Sequence, residues 1–236
     1  MKLLLTSGGI TNDTLARELE ALVGKPFNEL SIGFIPSAAF GDPSDDKWWL
    51  IDDMYRLKNR GARVAIVSLA DCTPEEIAAQ LEAVDVIFVG GGQTFYLSWL
   101  MQQKGLFELL PKLLESTVYA GISAGSMIMT PKLATVSFAI RKPGISDEEL
   151  EELGPEGRSL AKTLGLVDFM LRPHMNGEAK FRDITPDMVQ SVVNAAQIPA
   201  YILDDQSAVR VIDDEVTVVG EGQWQFVEPL RNESVS

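Results

Sequence analysis

The chain is poor in the residues that carry most side-chain chemistry: 236 residues include one histidine and one cysteine. A single cysteine, Cys72, excludes an internal disulfide framework and suits a reducing compartment. One histidine and one cysteine cannot build a His/Cys zinc site, which leaves only a carboxylate-held magnesium open to this composition. Cations are scarce as well. Twenty Lys and Arg stand against 34 Asp and Glu, a formal charge of −14, which excludes nucleic acid and an anionic membrane surface as partners. Long apolar runs are missing too. No stretch approaches the roughly 18–20 apolar residues of a bilayer span. The N-terminal MKLLLTSGG, with three leucines, falls short of the about 7–15 apolar residues of a secretory signal. The expected location is the cytoplasm. Any chemistry that needs an imidazole has one candidate, His174.

What is present is enough for a sizeable core. Hydrophobic residues make up 46% of the chain, and the length fits one domain over residues 1–236. Apolar runs alternate with helical patterns. KLLLT (2–6) predicts a strand, followed by a helix capped by Thr11 or Asn12, with Leu15, Leu19 and Leu22 on one face. LSIGFI (30–35), ARVAIVSL (62–69), VDVIFVGGG (84–92) and VYAGIS (118–123) predict further strands. Between them, helices are expected at 45–60 (Trp49, Met54, Leu57; closing at Gly61), from Thr73-Pro74, and at 94–103 and 106–115. Strands that are apolar throughout and separated by helices indicate βαβ units and a parallel sheet covered on both faces. Residues 132–172 are less regular, and the charged segment 146–158 reads as a solvated surface helix. A helix at 185–196 precedes YILD (201–204), AVRVI (208–212) and EVTVV (215–219), short strands in a hairpin-like terminal part.

Three loops could carry chemistry. YAGISAGSMIM (119–129) holds Gly121-x-Ser123-x-Gly125 between an apolar strand and a helical segment, the context of a nucleophile elbow. Small residues there let neighbouring backbone approach, and a helix N-terminus stabilises nearby negative charge. VGGGQTFYL (89–97) ends the fourth strand in three glycines, with Gln93-Thr94 opening the next helix. It lacks GK[ST] and the GxGxxG spacing, so a nucleotide site is disfavoured. Ligands of open parallel sheets bind beyond the carboxyl ends of the strands, so the two loops could share a pocket. LRPHMNG (171–177) places His174 just past an apolar run, and a serine nucleophile needs a base. A carboxylate would orient the imidazole. Asp204 and Asp205 are the leading choices, while Asp168 would give the Ser…Asp…His order of α/β-hydrolases.

VGGGQTF, GISAGS, RPH and LDDQSA, in this order over about 115 residues, resemble the serine peptidase family of dipeptidase E (aspartyl dipeptidase) and cyanophycinase. The N-terminal LLLTSGG and the length are nearest to the dipeptidase E branch. The resemblance implies an α/β fold: a three-layer sandwich with a mainly parallel central sheet, similar to class I glutamine amidotransferase domains (flavodoxin-like). It implies Ser123 as nucleophile, His174 as general base and Asp205 as the acidic member. It also implies an oxyanion hole from the amides of Gly91 or Gly92 and of Ala124. Two positions depart from the family pattern. Gln93 replaces the usual asparagine of GGGN, and an aspartate, with its shorter reach, replaces the usual glutamate, which keeps Asp204 beside Asp205 as a choice.

The implied reaction is hydrolysis of dipeptides or short peptides with an N-terminal aspartyl residue, with no metal and no organic cofactor. Gln93, Thr94 and a cation just past His174 are the expected substrate-binding residues. Of Lys180 and Arg182, arginine suits a carboxylate better, because its planar fork binds with two parallel hydrogen bonds. A small peptide is the expected partner, with the chain acting as a monomer or homodimer. The rival readings are another serine hydrolase of the same fold (cyanophycin- or isoaspartyl-directed, or an esterase) and a non-catalytic small-molecule-binding module.

Overall fold

The side-chain alternation of β1 (Lys2–Thr6) shows how the layers arise. Leu3 and Leu5 point into one apolar cluster and Leu4 into a second on the opposite face. Successive side chains of a strand face opposite ways, so a strand apolar at every position must be covered on both sides. The computed structural model describes residues 1–42, 46–132, 162–175 and 186–230.

Five strands run parallel: β1, β2 (Ser31–Ile35), β3 (Arg63–Ile66), β4 (Val86–Val89) and β5 (Val118–Ile122). Two antiparallel strands, β8 (Ser207–Ile212) and β9 (Glu215–Gly220), complete a seven-stranded sheet in the order β3-β2-β4-β5-β1-β8-β9. One face is covered by α1 (Asp13–Val23) and α3 (Trp48–Asn59), whose Leu15, Leu19, Leu22, Leu50 and Leu57 join Leu4. The other is covered by α4 (Pro74–Glu82), α5 (Thr94–Gln103), α6 (Leu106–Leu113) and the short α7 (Ala124–Met127). The short α2 (Ser37–Phe40) follows β2. The expected α/β three-layer sandwich with a mainly parallel sheet is the fold observed.

Local signals account for several boundaries. Asn12, rather than Thr11, caps α1 by accepting a hydrogen bond from the Leu15 amide at 2.9 Å. Thr73 and Glu76 form a reciprocal capping box at α4, with Pro74 in the first turn. Gly61, at φ +93°, follows α3 in the left-handed conformation that a helix C-terminus favours.

Other expectations need correction. The third strand is shorter than 62–69 and lies at the sheet edge, where Ile66 is exposed. Trp49, Met54 and Leu57 of α3 do face the core, Trp49 and Met54 partly buried against it, and Leu50 and Asp53 join Leu57 as its buried residues. YILD is not part of a terminal hairpin. β7 (Ala200–Leu203) instead joins β6 (Met170–Arg172) and β10 (Trp224–Val227) in a separate three-stranded sheet, on which α8 (Pro186–Ala196) packs. β10 was not anticipated. Its ring contacts are with Tyr201, whose centroid lies 4.7 Å from that of Phe226. The charged segment 146–158 lies outside the described residues, and no helix among those described is long and apolar enough to cross a membrane.

Candidate active site

The register of three strand pairs brings the site together. β1, β4 and β5 are neighbours and parallel, so the residues beyond their carboxyl ends, Ser7, Gly91-Gly92 and Ser123, emerge on one edge. β8 runs antiparallel to β1, with Ala208 opposite Thr6, so the turn before β8 reaches the same edge. That turn holds Asp204 and Asp205. β6 runs parallel to β7 with Arg172 opposite Ile202, and two residues further on His174 arrives beside the same turn.

Ser123 sits on the strand-to-helix corner at φ 48° and ψ −103°. A positive φ is unusual for a residue with a Cβ, and at such corners it turns the side chain outward. Two glycines make the corner feasible. A methyl group on Gly121 would lie 2.6 Å from the Gly125 carbonyl carbon, and one on Gly125 would lie 2.1 Å from the Val89 oxygen. The corner is tied to β1 by the Ser123 amide donating to the Thr6 carbonyl at 3.1 Å.

A continuous hydrogen-bonded chain follows. His174 Nε2 lies 2.9 Å from Ser123 Oγ, and Nδ1 lies 2.6 Å from Asp205 Oδ1. With Nδ1–H donating to the carboxylate, Nε2 is the acceptor for the serine hydroxyl. Ser7, fully buried, joins both partners: its Oγ donates to Asp205 Oδ1 at 2.7 Å and accepts from the His174 amide at 2.8 Å. Thr11 Oγ1 donates to the Asp205 carbonyl at 2.7 Å. Burial pushes the Asp205 carboxyl up, but hydrogen bonding and charge from His174, with help from Ser7 and Arg56, hold it below the usual carboxylate range.

The alternatives separate cleanly. Asp204 holds the turn instead, accepting from the Gln206 and Gln223 amides at 3.0 and 2.6 Å and from Ser207 Oγ at 2.9 Å. Asp168 is exposed and acts on Tyr201. The glycine loop lies against the serine, since a methyl on Gly91 would be 3.6 Å from Ser123 Cβ. Among the described residues, the amides of Gly91, Gly92 and Ala124 donate no hydrogen bond, so they stay open to a ligand.

A cavity of about 260 Å³ adjoins this chain of residues, with Ser123, His174, Asp205, Gly91 and Gly92 in its wall. Gln93 and Thr94 are not part of that wall. Gln93 Oε1 caps α5 through the Tyr96 amide at 2.7 Å, and Thr94 is buried at the start of the same helix. Lys180 and Arg182 lie outside the described residues. The cavity residues that sequence reasoning missed come mainly from α3: Trp48, Trp49, Asp52, Asp53 and Arg56. One signal for them was legible, because Asp53 is an acid set in the apolar stripe between Leu50 and Leu57. Ser7, just past the end of β1, is likewise absent from the sequence-based site.

Arg56 pairs with Asp52 at 2.5 Å and donates to the Gly8 carbonyl at 3.2 Å. Asp53 is about nine-tenths buried, and burial raises its carboxyl to about 8, with Arg56 opposing and the Asp52 and Asp205 charges adding.

A mainly parallel α/β sandwich with a serine, a histidine and a carboxylate joined at its strand ends defines a hydrolase-type protein. The model of Peptidase family S51 matches residues 3–219. The chain therefore belongs to peptidase family S51, in its peptidase E branch, and is a peptidase. An uncharacterized peptidase of Listeria innocua is 29% identical over 187 residues, 79% of this chain and 82% of that protein. Peptidase E of Streptomyces coelicolor is 28% identical over 148 residues, covering 61% and 55% of the two chains. A crystal structure of a peptidase from an acI-B1 Actinobacterium matches the fold with a TM-score of 0.69 at 18% identity, over 98% of this chain and 91% of that one. A Listeria monocytogenes EGD-e protein described provisionally as peptidase E matches with a TM-score of 0.70 at 21% identity, over 94% and 98%.

Proposed function

We propose that the chain is a serine-type dipeptidase acting on dipeptides or very short peptides with an N-terminal aspartyl residue. The observation that carries this reading is the unbroken contact from Ser123 through His174 to Asp205, at 2.9 and 2.6 Å. Ser123 Oγ attacks the scissile carbonyl carbon while its proton passes to His174 Nε2. Asp205 holds the ring and stabilises the imidazolium. The amides of Gly91 or Gly92 and of Ala124 receive the oxyanion, a contribution of about 10²–10³ in kcat for one donor. The C–N bond breaks as His174 returns the proton to the leaving amine. Water then attacks the acyl-serine ester, His174 takes its proton, and the free acid leaves with Ser123 restored.

The aspartyl preference is supported by the peptidase E relatives and by Arg56, the one cation in the described cavity wall. Arg56 offers a cation to the substrate's side-chain carboxylate, as Arg182, outside the described residues, was expected to do. Asp-Leu is the test substrate. Ser123→Ala and His174→Ala should each lower kcat by at least about 10³-fold, and turnover near the wild-type rate in either variant would refute the mechanism.

A further inference from the structure

We infer that Asp53 binds the α-ammonium group of the substrate's N-terminal residue, and so restricts the site to peptides with a free amino end. This rests on the peptidase reading for the identity of the ligand, but not for the existence of the cation site. Of the four carboxylates in the cavity wall, Asp52, Asp53 and Asp205 act on one another, and they are not equivalent. Asp52 is ion-paired with Arg56, and Asp205 is engaged by His174 and Ser7. Asp53 is about nine-tenths buried, lines the cavity, and receives no hydrogen bond from any described residue. Its oxygens are not sealed off but open onto the cavity, so a ligand donor can reach them.

Position points to the same ligand. A methyl group on Gly9 would lie 3.2 Å from Asp53 Oδ1 and 3.1 Å from Ile122 Cδ1, so the carboxyl and the residue preceding Ser123 abut the same backbone. In a dipeptide the α-nitrogen is attached to the carbon next to the scissile carbonyl. A group beside the nucleophile's strand end is where that nitrogen arrives. An ammonium also fits a single carboxyl, since it is compact and carries three donors.

The charged and titratable groups around Asp53 are Asp52 and Arg56 on its own helix, Asp205 and His174 across the cleft, and Asp42 in the same wall. With its carboxyl raised to about 8 by burial, Asp53 is neutral at mildly acid pH, and an ammonium beside it favours the carboxylate. Binding therefore releases a proton.

Calorimetry on the full chain carrying Ser123→Ala tests this without turnover. Asp-Leu is compared with succinyl-leucine, the same molecule with the α-amine replaced by hydrogen. Asp-Leu should bind at least about tenfold tighter. At pH 6.5 its binding should release close to one proton, read from buffers of different ionisation enthalpy. Adding Asp53→Asn should remove both the preference and the proton release while leaving succinyl-leucine affinity within about twofold. Equal affinities in Ser123→Ala, or a preference that survives Asp53→Asn, overturn the proposal. An equal loss of both ligands gives Asp53 a structural role and overturns it as well. Hydrolysis of Asp-Leu by the unsubstituted chain is scored separately. Binding through Asp53 without cleavage would keep the ammonium site and refute the peptidase.

Discussion

Asp53 meets opposing demands at the scale of a single residue. Its carboxyl ionises near 3.8 when solvated and only at about 8 in the folded chain. Between these values the unfolded chain has lost the proton and the folded one keeps it, so stability falls as pH rises through this window and levels off above it. At about 1.4 kcal/mol for each pH unit, the ceiling is several kcal/mol. Asp53→Asn removes the ionisation and should raise the melting temperature more at pH 9 than at pH 5.5. An equal shift at both values would contradict the assignment. Ser123 at φ 48° and His174 at φ 62° are also residues that local preference disfavours. Strain and an unpartnered acid gathered in one cleft are what a site retains at the expense of stability.

At the scale of elements, two helix starts behave differently. α7 begins directly at Ser123, and its placement depends on Gly125 lying against the Val89 carbonyl. Gly125→Ala forces a methyl to 2.1 Å from that oxygen. It should cost about 1–3 kcal/mol of stability and reduce activity by displacing the serine. α4 starts at Thr73 with a capping box remote from the cavity. Thr73→Ala should cost about 1 kcal/mol and leave kcat/KM unchanged. Denaturant unfolding and Asp-Leu turnover measured on both variants separate an elbow from an ordinary cap. The elements legible in the sequence were those with such local signatures: the alternating leucines of β1, the Asn12 and Thr73 caps, and the glycines around Ser123. β10 and the pairing of β7 were not legible. Their partners lie about 20–30 residues away in sequence, and short strands with mixed side chains carry no signal of which strand they join.

At the scale of the whole molecule, the charge of −14 acts through space on any anionic substrate, the proposed Asp-Leu among them. Asp-Leu carries two carboxylates and one ammonium, so the chain repels it beyond the local pairing in the cleft. Screening falls to about 8 Å at physiological ionic strength, and kcat/KM on Asp-Leu should rise modestly as salt increases from 0.01 to 0.15 M. A fall would show that a local cation controls encounter.

Composition and local pattern were enough to determine the α/β layers, the elbow at Ser123 and, by scarcity, His174 as the sole imidazole. These depend on side-chain periodicity and on turn chemistry, which act within a few residues. The choice of Asp205 over Asp204 and Asp168, the bridging by Ser7, and the cavity wall from α3 depended on tertiary structure. Adjacent aspartates are equivalent in a local reading. Only the parallel register of β6 with β7 and the antiparallel register of β8 with β1 turn one of them toward His174 and the other into its own turn.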